Sequence, residues 1–104
     1  MDKDFDKHAK KSLNYISEYL ENKDLDGSLD IDFNTEILKI ETPKGIYIIN
    51  KHSAAKQIWL ASPLSGPYHF SYIENKWVNK DNHDLYLLLN EELKDFIDIK
   101  LAYE

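Results

Sequence analysis

Short segments of alternating apolar and polar residues, separated by tight turns, fill the middle of this chain and leave no room for a helix between them. The clearest is LDIDF at 29–33, in which alternate apolar side chains share one face. Similar segments follow at 36–41, 46–51, 57–61, 68–73 and 76–78. Strands joined by tight turns, without crossover helices, pair with their sequence neighbours. The pattern therefore predicts an antiparallel meander of five to six strands.

Amphipathic helices are predicted on both sides of this meander. The first spans roughly residues 4–22 and carries one apolar stripe, formed by Phe5, Ala9, Leu13, Ile16 and Leu20. The second begins after Asp84, a suitable N-cap, and its stripe comprises Leu85, Leu88, Leu89, Leu93, Phe96 and Ile97. Both stripes need burial against one face of the sheet. We therefore expect a single α+β domain over residues 1–104, a two-layer α/β sandwich with both helices on one face and the other face open for binding.

Composition excludes several classes of function. The chain has no cysteine, so thiolate metal sites, disulfides and cysteine nucleophiles are absent. It has no arginine and a net charge of −6, which makes nucleic acid an unexpected partner. No apolar run approaches the roughly 20 residues that span a bilayer, so no membrane association is expected. The N-terminus resembles neither a secretory signal nor a mitochondrial transit peptide.

Catalytic motifs are also missing. There is no glycine-rich phosphate loop, no G-x-S-x-G and no HExxH, and the four histidines show no helical i, i+4 pair. A three-histidine metal site could still assemble in space. We expect a binding protein rather than an enzyme.

The segment around Trp59 is the first candidate for binding. Alternation places Ile58 and Leu60 toward the core and turns Trp59 outward with Gln57. Asn50 and Lys51 are expected near them. An exposed tryptophan among amides and a lysine is typical of a protein-binding hot spot. The alternative is a tryptophan half-buried by a loop.

An acidic block is the second candidate. Residues 12–36 carry seven acidic residues against one lysine. The carboxylates that could form one ridge are Glu18 and Glu21 on the helix, Asp24 and Asp26 in the loop, and Asp30 and Asp32 on the exposed face of an edge strand. Carboxylate oxygens suit hard cations such as Fe²⁺ or Mg²⁺, and an open ridge would bind them weakly and with little selectivity. The alternatives are a solvated acidic face or a docking patch for a basic partner.

The whole chain resembles the frataxin family, and specifically its bacterial members. The match is carried by Asn50-Lys51, by the run from Lys56 to Pro63 (KQIWLASP) and by the run from Ser65 to Phe70 (SGPYHF). The acidic first helix, the Asp-Gly turn, the LDIDF strand, the Trp77 strand and the leucine-rich closing helix follow in the same order.

The resemblance implies a role in iron–sulfur cluster assembly in the bacterial cytoplasm. It implies a protein that docks on the cysteine desulfurase and its scaffold protein and modulates cluster formation. The docking residues implied are Asn50, Lys51, Gln57 and Trp59. It also implies weak, reversible binding of Fe²⁺ and Fe³⁺ at the ridge of Glu18, Glu21, Asp24, Asp26, Asp30 and Asp32.

Two alternatives remain. One is an iron chaperone that delivers Fe²⁺ to the scaffold, with weak ferroxidase-like activity and iron-dependent oligomers of an otherwise monomeric protein. The other is a protein-interaction domain unrelated to iron. The chain also departs from the family pattern at Asn22, His52, His69 and Ser71. The two histidines would add nitrogen ligands near the sheet face or tune partner contacts.

Overall fold

The computed structural model describes residues 2–24 and 27–103. The first helix, α1, spans Asp2–Lys23, close to the predicted bounds. The five residues of its predicted stripe are all buried, and all except Phe5 have no solvent exposure. The 3.6-residue period therefore identified the buried face of α1 correctly.

Six strands form one antiparallel sheet. Their bounds are β1 Asp30–Phe33, β2 Ile37–Thr42, β3 Gly45–His52, β4 Gln57–Ser62, β5 Gly66–Ile73 and β6 Lys76–Val78. Each strand pairs with its sequence neighbours, in the spatial order β1-β2-β3-β4-β5-β6. The predicted meander is confirmed with six strands, and β1 lies at one edge of the described sheet.

The two faces of the sheet differ in their burial. The inner face packs against the helices and contributes eight buried hydrophobic side chains, namely Leu38, Ile40, Tyr47, Ile49, Ile58, Leu60, Phe70 and Trp77. The residues between them point to the opposite side, which is called the outer face below. The outer face comprises Asp30, Asp32, Ile37, Lys39, Glu41, Ile46, Ile48, Asn50, His52, Gln57, Trp59, Ala61, Pro67, His69, Ser71, Ile73, Lys76 and Val78. The structure thus has the predicted two layers.

The second helix, α2, spans Leu85–Leu93 and is shorter than predicted. Asp84 is its N-cap and accepts from the backbone N–H groups of Tyr86 and Leu87. At the end of the helix, the backbone N–H groups of Phe96 and Ile97 both donate to the carbonyl of Leu93. Aspartate and isoleucine residues dominate 95–99 and favour helices less than the leucines before them.

The C-terminal segment then packs back in an extended form. Its alternate residues Ile97, Ile99 and Leu101 are buried. Two tyrosines of α1 hold its backbone: Tyr19 accepts from the N–H of Lys100 at 2.8 Å, and Tyr15 accepts from that of Ala102 at 3.0 Å. The segment therefore joins the two helices in one layer.

A buried serine links all three parts of the core. The Oγ atom of Ser12 on α1 accepts from the indole of Trp77 on β6 at 2.8 Å and from the hydroxyl of Tyr86 on α2 at 3.1 Å. Buried polar groups need such partners. Neither helix in the described part of the chain is long and apolar enough to cross a membrane.

Candidate partner-binding face and acidic edge

Trp59 lies on the outer face, as alternation predicted. It pairs with Asn50 on β3 and with His69 on β5, while its neighbours Ile58 and Leu60 are buried in the core. Trp59 itself is only partly exposed. The alternative prediction of a half-buried tryptophan is therefore closer to the structure, but side chains of the sheet, and not a loop, cover the indole.

Two histidine rings cover the indole. The imidazole of His52 stacks on one face with centroids 3.8 Å apart and planes 12° apart. The imidazole of His69 stacks at 4.0 Å and 10°. This three-ring group, His52–Trp59–His69, is called the aromatic stack below. Its flat surfaces are already in contact, so a partner would meet the edge of the indole unless a histidine moved.

Hydrogen bonds fix the direction of the indole. Its Nε1–H donates to Oε1 of Gln57 at 2.9 Å, and Nε2 of Gln57 donates to the hydroxyl of Ser71 at 3.3 Å. Gln57 is thus oriented from both ends, which also identifies its amide oxygen as the acceptor. Trp59 is thus held in one orientation by His52, His69 and Gln57, and Ser71 orients Gln57 in turn.

Lys51 is separated from this group, contrary to the expectation that it lies beside Trp59. Asn50 pairs with Trp59, so alternation turns the next residue to the inner face, where Lys51 pairs with Ile58. Its ammonium lies 3.3 Å from the carboxylate of Asp6 on α1, and its side chain is only 10% exposed. Lys51 therefore ties α1 to the sheet.

Apolar side chains extend the outer face beyond the stack. Ile37, Ile46 and Ile48 are each at least 40% exposed. Ile48 pairs with Ala61, and Ile37 pairs with Asn50, so these residues continue directly from the surroundings of Trp59. An apolar strip that no helix covers is typical of a protein-interaction surface.

The acidic residues lie along α1 and β1, as predicted. Glu18 and Glu21 are exposed on α1, and Asp30 and Asp32 are exposed on the outer face of β1. These four residues are called the acidic edge below. Across the β1–β2 ladder, Asp30 faces Glu41 and Asp32 faces Lys39.

The two loop aspartates are different. Both carboxylate oxygens of Asp24 accept from the backbone N–H of Leu29, at 3.2 and 3.1 Å, so this side chain closes the connection between α1 and β1. Asp26 lies outside the described residues. Within 2–24 and 27–103, no three histidine, aspartate or glutamate side chains are grouped closely enough to hold a metal ion. The carboxylates fit loose contact with hard cations at an open surface rather than a closed cage.

A second carboxylate site lies on the helix side of the sheet. Glu92 of α2 accepts hydroxyl hydrogen bonds from Tyr47 at 2.8 Å and from Ser62 at 2.6 Å, and a third from Ser65. Burial, together with this carboxylate, raises the pKa of Tyr47. All three donors are already used to fasten α2 to β3 and to the β4–β5 turn, so the site has a structural role.

A cavity of about 370 Å³ lies between α1, the β5–β6 hairpin, α2 and the C-terminal segment. The hydroxyls of Ser12, Tyr15, Tyr86 and Tyr103 in its wall are hydrogen-bonded within the protein. It is remote from the outer face.

Sequence reasoning noticed His52 and His69 but did not predict the aromatic stack. Part of the arrangement could have been predicted, because alternation assigns both histidines to the same sheet face as Trp59. What was missing was the stagger between neighbouring strands, which places one ring on each side of the indole.

Comparison with known proteins places this geometry in a family. The sequence profile of the frataxin-like domain matches residues 1–99. The chain is 34% identical to mitochondrial frataxin of Arabidopsis thaliana over 102 residues, which cover 90% of the chain and 54% of that relative. It is 40% identical to the mitochondrial frataxin homolog of Saccharomyces cerevisiae over 70 residues, covering 65% of the chain and 40% of that protein. The chain thus spans about half, or less, of these relatives' length.

Solved structures agree with the fold. Trimeric frataxin from Saccharomyces cerevisiae, described as complexed with ferrous iron, superposes with a TM-score of 0.77 at 34% identity, covering 88% of this chain and 87% of that one. Frataxin from Psychromonas ingrahamii, of the CyaY protein family, gives a TM-score of 0.78 at 26% identity, covering 91% and 90%. The matched profile, the identity to curated frataxins and the shared helix–sheet arrangement agree, and the chain belongs to the frataxin-like family.

Proposed function

We propose that this chain is a regulatory binding module of iron–sulfur cluster assembly. It docks on the cysteine desulfurase, in complex with the cluster scaffold protein, through the outer face around Trp59. The observation that carries the proposal is the held indole. Trp59 lies on a sheet face that no helix covers, and its orientation is set before any partner arrives. Preorganisation of this kind reduces the entropy that binding costs.

The acidic edge supplies the electrostatic part of the same interaction. Glu18 and Glu21 are exposed on α1, and Asp30 and Asp32 are exposed on the edge strand β1. They would attract a basic surface on the desulfurase and steer its approach. Because exposed charges are screened by salt, the association rate should fall as ionic strength rises.

The direct test measures desulfurase turnover and cluster formation on the scaffold, with and without this protein. We expect a change in rate that Trp59→Ala abolishes while the fold is retained. Leu87→Ala is the matched control, because Leu87 is an apolar side chain 67% exposed on α2, in the other layer. The sign of the change distinguishes an activator from an inhibitor. An unchanged affinity of Trp59→Ala for the desulfurase complex would refute the role of Trp59.

Delivery of iron is the second candidate function, with iron as cargo. It is favoured by the exposed carboxylates of the acidic edge and by the ferrous complex described for the yeast relative. Binding would be weak and reversible, since an open surface lacks the geometry that selects one cation. We expect Fe²⁺ binding to weaken when Glu18, Glu21, Asp30 and Asp32 are changed to their amides. If Mg²⁺ at physiological salt displaces the iron, the surface binds cations in general and the delivery role fails.

The proposal includes a monomeric bacterial protein that acts in the cytoplasm. The Psychromonas relative supports the bacterial assignment, whereas the curated relatives above are named as mitochondrial proteins of eukaryotes. The trimeric yeast relative supports the ability to form oligomers, and we propose that iron promotes them here. Sedimentation with and without Fe²⁺ measures the oligomeric state.

A further inference from the structure

The two imidazole rings that cover the indole in the aromatic stack, those of His52 and His69, have different surroundings. The Nδ1 atom of His52 is buried and has no hydrogen-bond partner among the described residues. His69, on the opposite side of the indole, is exposed, so water reaches its ring. Two rings at nearly the same stacking distance therefore differ in how they can accommodate a proton.

Protonation has opposite consequences at the two positions. A neutral imidazole can leave one ring nitrogen without a proton, and such an unpaired acceptor is tolerated at moderate cost. A protonated imidazole carries an N–H on both nitrogens, and a buried charged donor without an acceptor costs much more. An imidazolium over an indole gains a cation–π attraction, but His69 obtains this attraction while its nitrogens stay hydrated. His52 obtains it only while Nδ1 remains dry.

We propose that His52 is a proton-controlled cover of Trp59, which is stacked when neutral and turned out into water when protonated. Turning out uncovers one face of the indole and adds a positive charge to the outer face. The inference rests on the proposed docking role of Trp59 and adds its regulation: acid increases the fraction of molecules that can present the indole face to the desulfurase complex.

Among the described residues, no hydrogen bond joins Nδ1 of His52 to a carboxylate that could hold an imidazolium in the stack. The outer-face residues next to His52 are uncharged apart from a second histidine, since β4 contributes Gln57 and Trp59 there and β5 contributes His69 and Ser71. The other charged residues on adjoining elements are Glu36, just before β2, Lys56 in the β3–β4 turn, and Lys51 with Asp6 on the inner side. The Oδ1 atom of Asp6 is already in contact with Lys51 and accepts from the hydroxyl of Ser53.

The first test is independent of any partner. Histidines titrate between about pH 5 and 8, so proton NMR of the full chain is recorded across that range. A ring stacked on an indole shows upfield-shifted protons. We expect the His52 ring protons to lose this upfield shift as the pH is lowered across that range, whereas the His69 ring protons keep theirs. The proposal is overturned if the His52 ring protons keep the shift throughout.

The second test links the cover to docking. Affinity for the desulfurase complex is measured at about pH 7.5 and about pH 5.5. His52→Gln is compared with the matched control His69→Gln, and equal melting temperatures check that both variants fold. If a tenth of the molecules are uncovered at the higher pH, binding should tighten up to about 10-fold in acid for the wild type. The His52→Gln protein should lose this gain relative to the wild type, whereas His69→Gln should keep it.

Together the two tests distinguish a failure of the proposed docking function from a failure of the proposed His52 cover. An NMR transition of His52 without any desulfurase binding at either pH would remove the proposed docking function and leave the cover intact. Binding through Trp59 with the same pH dependence in the wild type and in His52→Gln would keep docking and overturn the cover.

Discussion

Replacing Gly45 with alanine tests how closely the β2–β3 turn approaches the β4–β5 turn. Gly45 begins β3 with φ at +133°, a conformation that residues with a side chain rarely adopt. A Cβ atom built there would lie 2.5 Å from Cβ of Pro63 and 3.0 Å from its Cγ. Both atoms belong to a rigid ring, so the overlap cannot be relieved by a simple rotation.

The expected cost has two parts. Strained backbone at such a position costs on the order of 1–3 kcal/mol. Forcing an extra methyl group into a packed contact typically costs about 1–3 kcal/mol more. A loss of about 3 kcal/mol in the free energy of unfolding should lower the Tm by roughly 10–25 °C in a domain of this size.

Gly27→Ala is the matched control. Gly27 also has a positive φ, +72°, but a Cβ there would meet nothing within 4 Å. It should show only the backbone part, about 1 kcal/mol. Thermal and urea unfolding, followed by far-UV circular dichroism, measure both variants. Equal losses for the two glycines would show that the close approach to Pro63 has no energetic weight. A Pro63→Gly background should reduce the cost of Gly45→Ala, since it removes the opposing ring.

Three further predictions concern charges and buried hydroxyls. Glu92→Gln should cost about 1–3 kcal/mol in unfolding free energy, because it weakens an acceptor used by three hydroxyls. Glu91→Gln is the matched control and should leave the melting temperature nearly unchanged, because it affects an exposed ion pair with Lys94. Asp30→Asn should raise the Tm at low salt, because Asp30 faces the like charge of Glu41. Asp32→Asn should not raise the Tm, because Asp32 faces Lys39. A higher Tm in both variants would contradict this pairing. Burial raises the pKa of Tyr86 to about 12 from an ordinary 10, so the stability that its neutral form provides is intact below pH 10 and is lost as pH rises from 10 to 12. In a pH series of melting temperatures, Tyr86→Phe should fall less steeply than the wild type above pH 10, and parallel curves would refute the assignment.

The faces of the elements followed from periodicity, and the contacts between elements did not. Alternation placed Trp59 outward and Ile58 inward because a strand has a fixed two-residue period. The same rule assigns Lys51 to the inner face, opposite to Asn50, and the error arose from treating sequence neighbours as spatial neighbours. The aromatic stack depends on the stagger of β3, β4 and β5, which periodicity leaves open.

The helix layer shows the same limit. The apolar stripe of α1 was evident from spacing alone, yet nothing in the spacing indicates that Ser12 meets both Trp77 and Tyr86, which lie 65 and 74 residues further along the chain. The end of α2 was also predicted too late, because apolar side chains at 96 and 97 continue the helical spacing although the backbone has already left the helix. Such contacts depend on how helix and sheet are positioned, which is a tertiary property.

The hydrogen bonds between the α1 tyrosines and the C-terminal segment affect the order in which the chain can fold during translation. Tyr15 and Tyr19 bond to backbone groups 87 and 81 residues away. While the chain emerges from the ribosome, α1 can form and the meander can grow strand by strand from local pairings. The inter-helix layer, however, cannot close until residues 100–102 have been released. A nascent chain would therefore leave the hydroxyls of Tyr15 and Tyr19 without these partners until that segment is made, although the strands that cover the apolar stripe of α1 are made earlier.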